Sequence, residues 1–426
     1  MVACLSIATC WLRREPRKRR IGATARLTVG NGTLVGVERI YLDHAATTPP
    51  DPRVLEAMWP LYTKYWGNPS SIYLEGQDAR NALDAARKAC ADLLAVESSE
   101  VVFTSGGTES ANAAIRGAAF EQRDRGRGDH IVTSRIEHHG VLHAVEQLER
   151  EGFSATYTPV DSQGFINTDA LRHAITERTA VVSIMAANNE VGTIQPIAEV
   201  ARVARERNPD VVVHTDAVQA AGAIDISPAT LGVDLLSISG HKLYGPKGIG
   251  LLYIKRDTPW QPMIVGGGQE KDRRSGTENV AGAYGLARAM QLAWTESAER
   301  NAHSAALRDR LLTGLPERIP DTVITGPLNG DLRLSNSFSC CFRNVEGESI
   351  LLALDMAEVA ASSGSACTTG SLEPSHVLLA MGIDQDLAHS SLRLTVGRQT
   401  TDEQIDYVLE RLPEIVARLR ALAPSL

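Results

Sequence analysis

The stretch that decides the fold reads Ser239-Gly240-His241-Lys242-Leu243-Tyr244-Gly245-Pro246-Lys247-Gly248-Ile249-Gly250. Apolar runs at 234–239 and 250–255 flank it, and they predict two buried strands joined by a glycine-rich turn. The turn therefore holds Lys242 at the end of a strand. An amine that bonds to a carbonyl group must be partly desolvated, and Ser239 and His241 add hydrogen-bond donors for a phosphate. A solvated lysine in a Gly/Pro turn is the alternative.

A second apolar run ends in a carboxylate. Residues 211–213 are valines, and Asp216 follows three positions later. The carboxyl ends of parallel strands form the ligand-binding edge of open α/β sheets, so Asp216 is expected to face a ligand there. A carboxylate in that place suits the ring nitrogen of pyridoxal phosphate (PLP), and Gln219 would hydrogen-bond the ring hydroxyl. As the alternative, Asp216 caps the following helix.

The third feature is a strand that runs into a helix through Thr104-Ser105-Gly106-Gly107-Thr108. Free backbone amides at a helix start attract anions, so Gly107 and Thr108 are expected at a phosphate. The spacing matches neither a Walker A loop nor a dinucleotide fingerprint, and a capped helix start is the alternative.

The fourth feature is Cys367, within the polar stretch Ala361-Ser362-Ser363-Gly364-Ser365-Ala366-Cys367-Thr368-Thr369-Gly370-Ser371. Free cysteines are usually buried and inert, whereas this composition predicts an exposed, mobile thiol with reactive chemistry. A helix is expected from Pro374 onward. By contrast, Cys90 recurs with Leu83, Ala86 and Leu93 at helical spacing, which predicts a place in the core.

Further blocks extend these four features along the chain. They are Tyr-Leu-Asp-His-Ala-Ala-Thr-Thr-Pro (41–49), Gly-Asn-Pro-Ser-Ser (67–71), Glu-His (137–138), Asn-Asn-Glu-Val-Gly-Thr (188–193), Arg-Arg-Ser-Gly-Thr-Glu-Asn (273–279) and Ser-Ser-Leu-Arg (390–393). With them, the chain from about Tyr41 onward resembles the NifS/IscS-type cysteine desulfurases, which are PLP-dependent enzymes of the class-V aminotransferase family. Two positions depart from the commoner pattern, His44 for Tyr or Asn and Gly107 for Ala.

The resemblance implies an α/β architecture, the PLP-dependent transferase fold type I, with a large mainly parallel sheet and a smaller α+β C-terminal domain. The alternation of strands and helices between 130 and 216 favours the same parallel sheet independently. We expect residues 51–295 to form the large PLP-binding domain, and 40–50 with 296–426 to form the small domain. Residues 1–39, with a basic run at 13–20, are expected to be a disordered extension, and they resemble a transit peptide only weakly.

The resemblance also assigns roles to residues. It implies that the catalytic residues are Lys242, Cys367 and His138, with His138 stacked over the cofactor ring. It implies cofactor binding by Gly107, Thr108, His138, Asn189, Asp216, Gln219, Ser239, His241, Lys242 and Thr277, the last reaching the partner subunit's phosphate in a homodimer. Asn189 and Arg393 are expected to bind the substrate carboxylate. From composition alone, residues 188–190 would be a turn and Arg393 would face water.

The implied reaction converts L-cysteine to L-alanine and leaves the sulfur as a persulfide on Cys367, for iron–sulfur cluster assembly. The acceptor would be a scaffold of NifU/IscU type, and Cys367 would transiently ligate a cluster. Alternatives are another PLP-dependent class-V aminotransferase, a selenocysteine lyase, or a sulfur carrier without turnover. A zinc hydrolase using His138, His139 and His143 is disfavoured because the motif is not His-Glu-x-x-His. No resident metal is expected.

Composition limits the partners and the compartment. Lys and Arg total 43 against 51 for Asp and Glu, and the net charge of −8 disfavours nucleic acid and anionic membranes as partners. The six cysteines show no metal-ligand spacing, and adjacent Cys340 and Cys341 would point to opposite faces of a strand. A reducing, cytoplasmic location is therefore expected.

Overall fold

The structure is a computed structural model that describes residues 39–364 and 373–422. The predicted extension lies outside the described residues except for Arg39, and Cys367 lies outside them as well. The described strands are β1 (Ile40–Tyr41), β2 (Val101–Thr104), β3 (His130–Ser134), β4 (Ser154–Thr158), β5 (Thr179–Ser183), β6 (Val212–Asp216), β7 (Leu235–Ser239), β8 (Gly250–Ile254), β9 (Thr322–Ile324), β10 (Ser337–Phe342), β11 (Val359–Ala360) and β12 (Ser391–Thr395).

Helices separate most of these strands. They are α1 (Pro52–Thr63), α2 (Leu74–Leu94), α3 (Gly107–Asp124), α4 (His139–Arg150), α5 (Thr168–Ala174), α6 (Ile197–Arg207), α7 (Pro228–Leu231), α8 (Val280–Thr295), α9 (Ser297–Arg318), α10 (Gly347–Met356), α11 (His376–Ala380), α12 (Gln385–Ala388) and α13 (Asp402–Leu422). Local signals set several ends: Asp51 caps α1 by accepting from Arg53 N, and Ala95 ends α2 in a left-handed conformation. The helix expected from Pro374 begins at His376, capped by Ser375.

The large sheet has seven strands in the order β2-β8-β7-β6-β5-β3-β4. The strands from β7 to β4 pair in parallel, whereas β8 pairs antiparallel with both β7 and β2. This confirms the mainly parallel sheet. The carboxyl ends of β6 and β7 lie side by side, because Asp216 pairs with Ser237 in their register.

Both faces of this sheet are buried, which explains its continuous apolar strands. Alternate strand residues enter two separate cores: one contains Val182, Val213 and Leu236, together with residues of α1, α2, α6 and α8. The other contains Val181, Val212 and Leu235, with residues of α3 and α4. Because neighbouring residues of a strand point to opposite faces, a two-sided sheet needs apolar residues in succession. Cys90 lies in the first core as predicted.

A second, antiparallel sheet follows the order β12-β10-β9. Its core contains side chains of α9, α10 and α13. Cys340 belongs to this core and Cys341 to a different cluster beside α11 and α12, so the two thiols do face opposite ways. The short β1 pairs with β11, and Asp43 bridges to Thr395, which ties the start of the described chain to β12.

Lys242 occupies the predicted connection. A short 3-10 helix, Gly240–Lys242, links β7 to β8. The predicted domain boundaries at 51–295 and 296–426 stay a prediction. Within residues 39–364 and 373–422, no helix combines the length and the apolar character needed to cross a bilayer.

Candidate active site

A cavity of about 310 Å³ lies at the carboxyl edge of the large sheet, and it gathers most of the predicted site residues. We call it the lysine cavity. Ten predicted residues line it, from six separate parts of the chain: Gly107, Thr108, His138, Asn189, Asp216, Gln219, Ser239, His241, Lys242 and Arg393. The roles assigned to them stay predictions, since geometry shows only that they meet.

The Lys242 amine is held by backbone carbonyls. Its Nζ donates to Ala45 O and, at 2.7 Å, to Ala46 O. Gln219 Nε2 donates to the same Ala45 carbonyl at 3.0 Å. Two carbonyl acceptors favour the ammonium form, so the amine must leave them before it can act as a nucleophile.

Asp216 ends β6 with its side chain buried. Burial raises its pKa to about 6, while the hydrogen bond from Val218 N and the charge of Lys242 act in the opposite direction. Val218 N donates to Asp216 Oδ1 at 2.9 Å. A turn and not a helix follows Asp216, so the alternative that it caps the following helix is wrong. A cation beside the carboxylate would offset the burial penalty, which a protonated pyridine ring does.

One end of the lysine cavity suits an anion. Helix α3 begins at Gly107, and the side chains of Thr108, Ser239 and His241 line the same cavity. Gly107 has a steric reason to lack a side chain, because a Cβ there would approach Val218 Cγ2 to 2.9 Å. His241 Nδ1 lies 3.1 Å from Thr47 Oγ1, and burial lowers the pKa of His241 to about 4. The neutral imidazole and the hydroxyls supply hydrogen bonds, and the helix start supplies backbone amides.

His138 caps α4 through its ring. Gly140 N donates to His138 Nδ1 at 3.0 Å, which leaves Nε2 to carry the hydrogen of the neutral ring. Burial, and next the charge of Lys242, lower the pKa of His138 to about 4. The imidazole is therefore neutral near pH 7. Its place in the wall of the cavity is compatible with the predicted stacking role.

Arg393 is almost completely buried, and two of its guanidinium nitrogens are hydrogen-bonded within the chain. Its Nη1 donates to Asn189 O at 2.9 Å and its Nη2 to Asp43 Oδ1 at 2.8 Å. Among the described residues its Nε has no hydrogen-bond partner. This Nε is closed to solvent and so to a ligand, but Nη1 and Nη2 each carry a second N–H and Arg393 lines the lysine cavity, so its guanidinium suits a ligand carboxylate. The prediction that Arg393 would face water on compositional grounds is wrong.

Thr277 lies outside the lysine cavity. It lines a second cavity of about 230 Å³, whose walls include Ser105, Arg274 and Glu278. We call this the glutamate cavity. Both Glu278 carboxylate oxygens are buried and, within the described part of the chain, accept no hydrogen bond; Arg80 Nη2 approaches to 3.6 Å. The role of Thr277 at a partner's phosphate stays a prediction, as does that of Cys367.

The histidines near the cavity do not form a metal site. His139 stacks between His143 and His376, with ring centroids 5.1 and 4.7 Å away. Among the described residues, no group of three or more His, Cys, Asp or Glu side chains is placed to hold a metal ion. The zinc alternative therefore gains no support here.

Sequence reasoning missed the residues that hold the predicted ones. Asp43 binds Arg393 across 350 positions, and the Ala45 and Ala46 carbonyls hold Lys242. Backbone acceptors carry no side-chain signal, and Asp43 had only its membership in the block 41–49 to mark it. Met185, Ala187 and Val218, which complete the apolar wall, read as ordinary strand and turn residues.

The donor set of the lysine cavity fits PLP. It offers an amine for the aldehyde, a buried carboxylate for the ring nitrogen, and hydroxyl groups with a helix start for the phosphate. Asp216 carries the strongest point of this fit, because burial raises its pKa and a protonated ring nitrogen beside the carboxylate would offset that penalty.

Comparison with known proteins agrees with this geometry. A family model for aminotransferase class-V matches residues 40–408. A curated relative, "Cysteine desulfurase IscS" of Methanosarcina thermophila, is 50% identical over 385 residues, covering 90% of this chain and 94% of that protein. The solved structure of a "NIFS-LIKE PROTEIN" superposes with a TM-score of 0.84 at 40% identity, over 90% of this chain and all of that one. "SspA in complex with cysteine" gives 0.73 at 35% identity, over 85% of this chain and 100% of the other.

Proposed function

The chain belongs to the class-V aminotransferase family, and from this premise we propose that it is a cysteine desulfurase, converting L-cysteine to L-alanine with transfer of sulfur to Cys367. One observation carries the proposal: the lysine cavity places an amine, a buried carboxylate and a buried arginine around one space. A binding protein without turnover would not need all three.

The residues of the lysine cavity divide between holding and reacting. PLP, when bound, supplies an aldehyde that amines can join and a ring that accepts electrons. Asp216 would hold the ring nitrogen, Gln219 the ring hydroxyl, and Thr108, Ser239 and His241 the phosphate with the start of α3. The apolar wall beside them limits water in the cavity.

The substrate carboxylate would bind the Arg393 guanidinium, with Asn189 beside it. Asp43 and the Asn189 carbonyl each accept one hydrogen bond from its terminal nitrogens, so the arginine is oriented before the substrate arrives. L-cysteine as the substrate is supported by the relatives named cysteine desulfurase and by the related protein solved with cysteine.

Lys242 and His138 would move protons. Once free of the Ala45 and Ala46 carbonyls, the Lys242 amine can take a proton from the substrate Cα. His138 is neutral near pH 7, with its hydrogen on Nε2, so at that atom it can donate a hydrogen bond. Its lone pair lies on Nδ1 and accepts from Gly140 N, so to take up a proton His138 would first have to release that contact.

Cys367 would take the sulfur. Its thiolate attacks the substrate sulfur, so an S–S bond forms while the C–S bond breaks, and the carbon skeleton takes up a proton and leaves as alanine. Cys367 then holds a persulfide for an acceptor. We propose that this acceptor is an iron–sulfur scaffold of NifU/IscU type, because relatives carry the name IscS.

We propose further that the chain works as a homodimer in the cytoplasm. Large apolar side chains from α1 and the segment after it are exposed, including Trp59, Trp66 and Ile72 at 67, 67 and 90%. Such a patch is typical of a protein interface, and in a dimer Thr277 would reach the partner's cofactor. The free, buried thiols of Cys90, Cys340 and Cys341 suit a reducing compartment.

The test is a visible spectrum of the purified protein with PLP, before and after L-cysteine is added. We expect a band near about 420 nm that changes on mixing, with alanine and protein-bound persulfide formed in equal amounts. L-alanine and L-selenocysteine serve as comparison substrates. A protein that gains no band with PLP, or that transaminates without releasing alanine from cysteine, would contradict the proposal.

A further inference from the structure

Glu190 is a buried carboxylate with no part in the proposed chemistry. It follows Asn189, whose side chain lines the lysine cavity, but Glu190 itself points elsewhere and is only 3% exposed. The turn that carries it is rigid, because Asn188 Oδ1 accepts from Glu190 N and Val191 N at 2.8 and 3.0 Å. Its side chain therefore has a fixed origin.

The two residues that bracket the Cys367 stretch both meet this carboxylate. On the C-terminal side, Ser375 Oγ donates to Glu190 Oε2. On the N-terminal side, Gly364 packs so closely that a Cβ there would lie 2.8 Å from the same oxygen and 3.1 Å from Ser375 Cβ. A side chain at position 364 would therefore have to displace this oxygen, which lies close to both ends of the stretch.

Both ends are held by further bonds. Gly364 N donates to Ser391 Oγ at 3.2 Å, at the start of β12. Ser375 caps α11, where its Oγ accepts from Leu378 N at 3.2 Å. The Ser375 hydroxyl proton is then directed at Glu190, because its lone pairs serve the helix.

The same turn reaches the substrate-binding arginine. Arg393 Nη1 donates to Asn189 O, and Arg393 pairs through its backbone with Ser362, two residues before Gly364. One short turn, residues 188–191, therefore contacts both the residues that bracket Cys367 and the guanidinium expected to hold the substrate. A shift of Glu190 would change the position of one relative to the other.

We propose that Glu190 is a positioning residue for sulfur transfer, whose carboxylate fixes the points from which the Cys367 stretch leaves and rejoins the fold, relative to the substrate held by Arg393. This inference rests on the proposed function. Cys367 follows Gly364 by three residues in the sequence. A displaced end therefore displaces the space the thiol can reach, and displacements of about 1 Å can cost about 10²-fold in rate.

The electrostatics of Glu190 suit a hydrogen-bond acceptor in this place. Burial raises the pKa of Glu190 to about 7, while the Ser375 hydrogen bond and the Arg393 charge act to lower it. The contact with Ser375 needs an acceptor oxygen rather than a full charge. Glutamine keeps that oxygen and the side-chain volume, so it serves as the conservative variant.

The experiment measures two steps in single-turnover reactions of the PLP-loaded protein. The spectral change on mixing with L-cysteine reports substrate binding, and mass spectrometry of quenched samples reports persulfide at Cys367. We expect E190A and S375A to slow persulfide formation by about tenfold or more while the concentration dependence of the spectral change stays within about twofold. E190Q should retain most of the wild-type rate.

A matched control is D384A. Asp384 caps the neighbouring helix α12 by accepting from Leu387 N at 2.9 Å, and it has no contact with Glu190 in the described structure. It should leave both steps unchanged, which separates loss of a cap from loss of the Glu190 contact. G364A, which places a methyl group against Glu190 Oε2, should also slow the transfer and replaces E190A if that variant does not fold.

Two results would overturn the inference: persulfide forming at the wild-type rate in E190A, S375A and G364A, or substrate binding weakening in step with the transfer. The second result would place Glu190 in the support of Arg393 instead. Failure of the proposed function itself looks different, because the wild-type protein would then form no persulfide at all.

Discussion

The lysine cavity and the glutamate cavity differ in whether their polar side chains are hydrogen-bonded by described residues of the same chain. In the lysine cavity, Lys242, Asp216 and His138 each have a hydrogen-bond partner in the same chain. In the glutamate cavity, both Glu278 carboxylate oxygens are buried without a hydrogen bond from any described residue. Arg80 Nη2 approaches Glu278 Oε1 to 3.6 Å, and a further donor would lower the cost of burying this carboxylate.

The two cavities share one structural element, the first turn of α3. Thr108 lines the lysine cavity, while its neighbour Glu109 forms an ion pair with Arg274 of the glutamate cavity, at 2.8 Å. Glu109 Oε2 also accepts from Ser105 N at 2.8 Å. The first turn of α3 is thus tied to the loop that carries Thr277.

The largest effect is expected at the centre of the lysine cavity. K242A should reduce alanine formation by at least about 10³-fold, because it removes both the amine that joins the cofactor and a proton carrier. The measurement is alanine released per turnover, with thermal unfolding to verify the fold. K247A, an exposed lysine in the same turn, is the control and should keep full activity. If K242A and K247A lost the same fraction of alanine formation, the catalytic role of Lys242 would be contradicted.

The next largest effect is expected at Arg393. R393K keeps the charge but loses the planar array of donors, and should raise KM for L-cysteine about 10- to 100-fold, the worth of hydrogen bonds to a charged group. The effect on kcat should be smaller. The control is R333K: Arg333 is also buried, but its donors reach the carbonyls of Pro327, Ser337 and Thr325, so it should affect stability and leave KM unchanged. An unaltered KM in R393K would contradict the substrate role.

The glutamate cavity is tested by mixing two impaired chains. T277A should weaken PLP binding by about 10- to 100-fold through a lost phosphate hydrogen bond. If Thr277 serves the partner's site, a mixed dimer of T277A with K242A contains one intact site, with Lys242 from one chain and Thr277 from the other. We expect it to regain PLP affinity and activity at that site. If the PLP affinity and activity of the mixed dimer do not exceed those of the two parent dimers, Thr277 acts at the site of its own chain.

A smaller effect concerns the strand beneath the lysine cavity. His214 of β6 is fully buried between Ser183 Oγ and Ser237 Oγ, at 2.8 and 2.9 Å, and burial lowers its pKa to about 3. Neutral His214 therefore contributes its full stability above the unfolded pKa of about 6.5, and this is lost as the pH falls toward 3.

The loss should amount to about 1.4 kcal/mol per pH unit below about pH 6.5. Urea unfolding of the wild type and of H214Q at several pH values should show the wild type losing this advantage relative to the variant. Parallel stability curves for the two proteins would contradict the assignment.

The smallest expected effect is at Gly107. G107A places a Cβ 2.9 Å from Val218 Cγ2, so a shift of either residue should weaken PLP binding by about 1 kcal/mol. The double variant G107A/V218A removes the clash and should restore binding, as a double-mutant cycle would show. If G107A binds PLP as tightly as the wild type does, Val218 can move to accommodate the added methyl group without disturbing the cavity.

Several predictions from the sequence concerned short segments, and the structure has the predicted strands, turn and helix at those positions. The strand ending at Asp216, the turn carrying Lys242 and the helix beginning at Gly107 all occur where local pattern placed them. Each rests on neighbouring residues, since apolar runs, glycines and helix-start residues act over a few positions. Arg393 shows the limit: its strand was evident, but the neighbours of its side chain were not.

The amino-acid sequence by itself determined the order of strands and helices, the family, and the set of side chains capable of the chemistry, because hydrophobic period and turn residues act locally. Only the tertiary structure decided that Asp43 and the Asn189 carbonyl orient Arg393, that backbone carbonyls hold Lys242, and that Glu190 lies against both Gly364 and Ser375. Those contacts join residues far apart in the chain. Their energies depend on burial and on geometry, which exist only once the chain has folded.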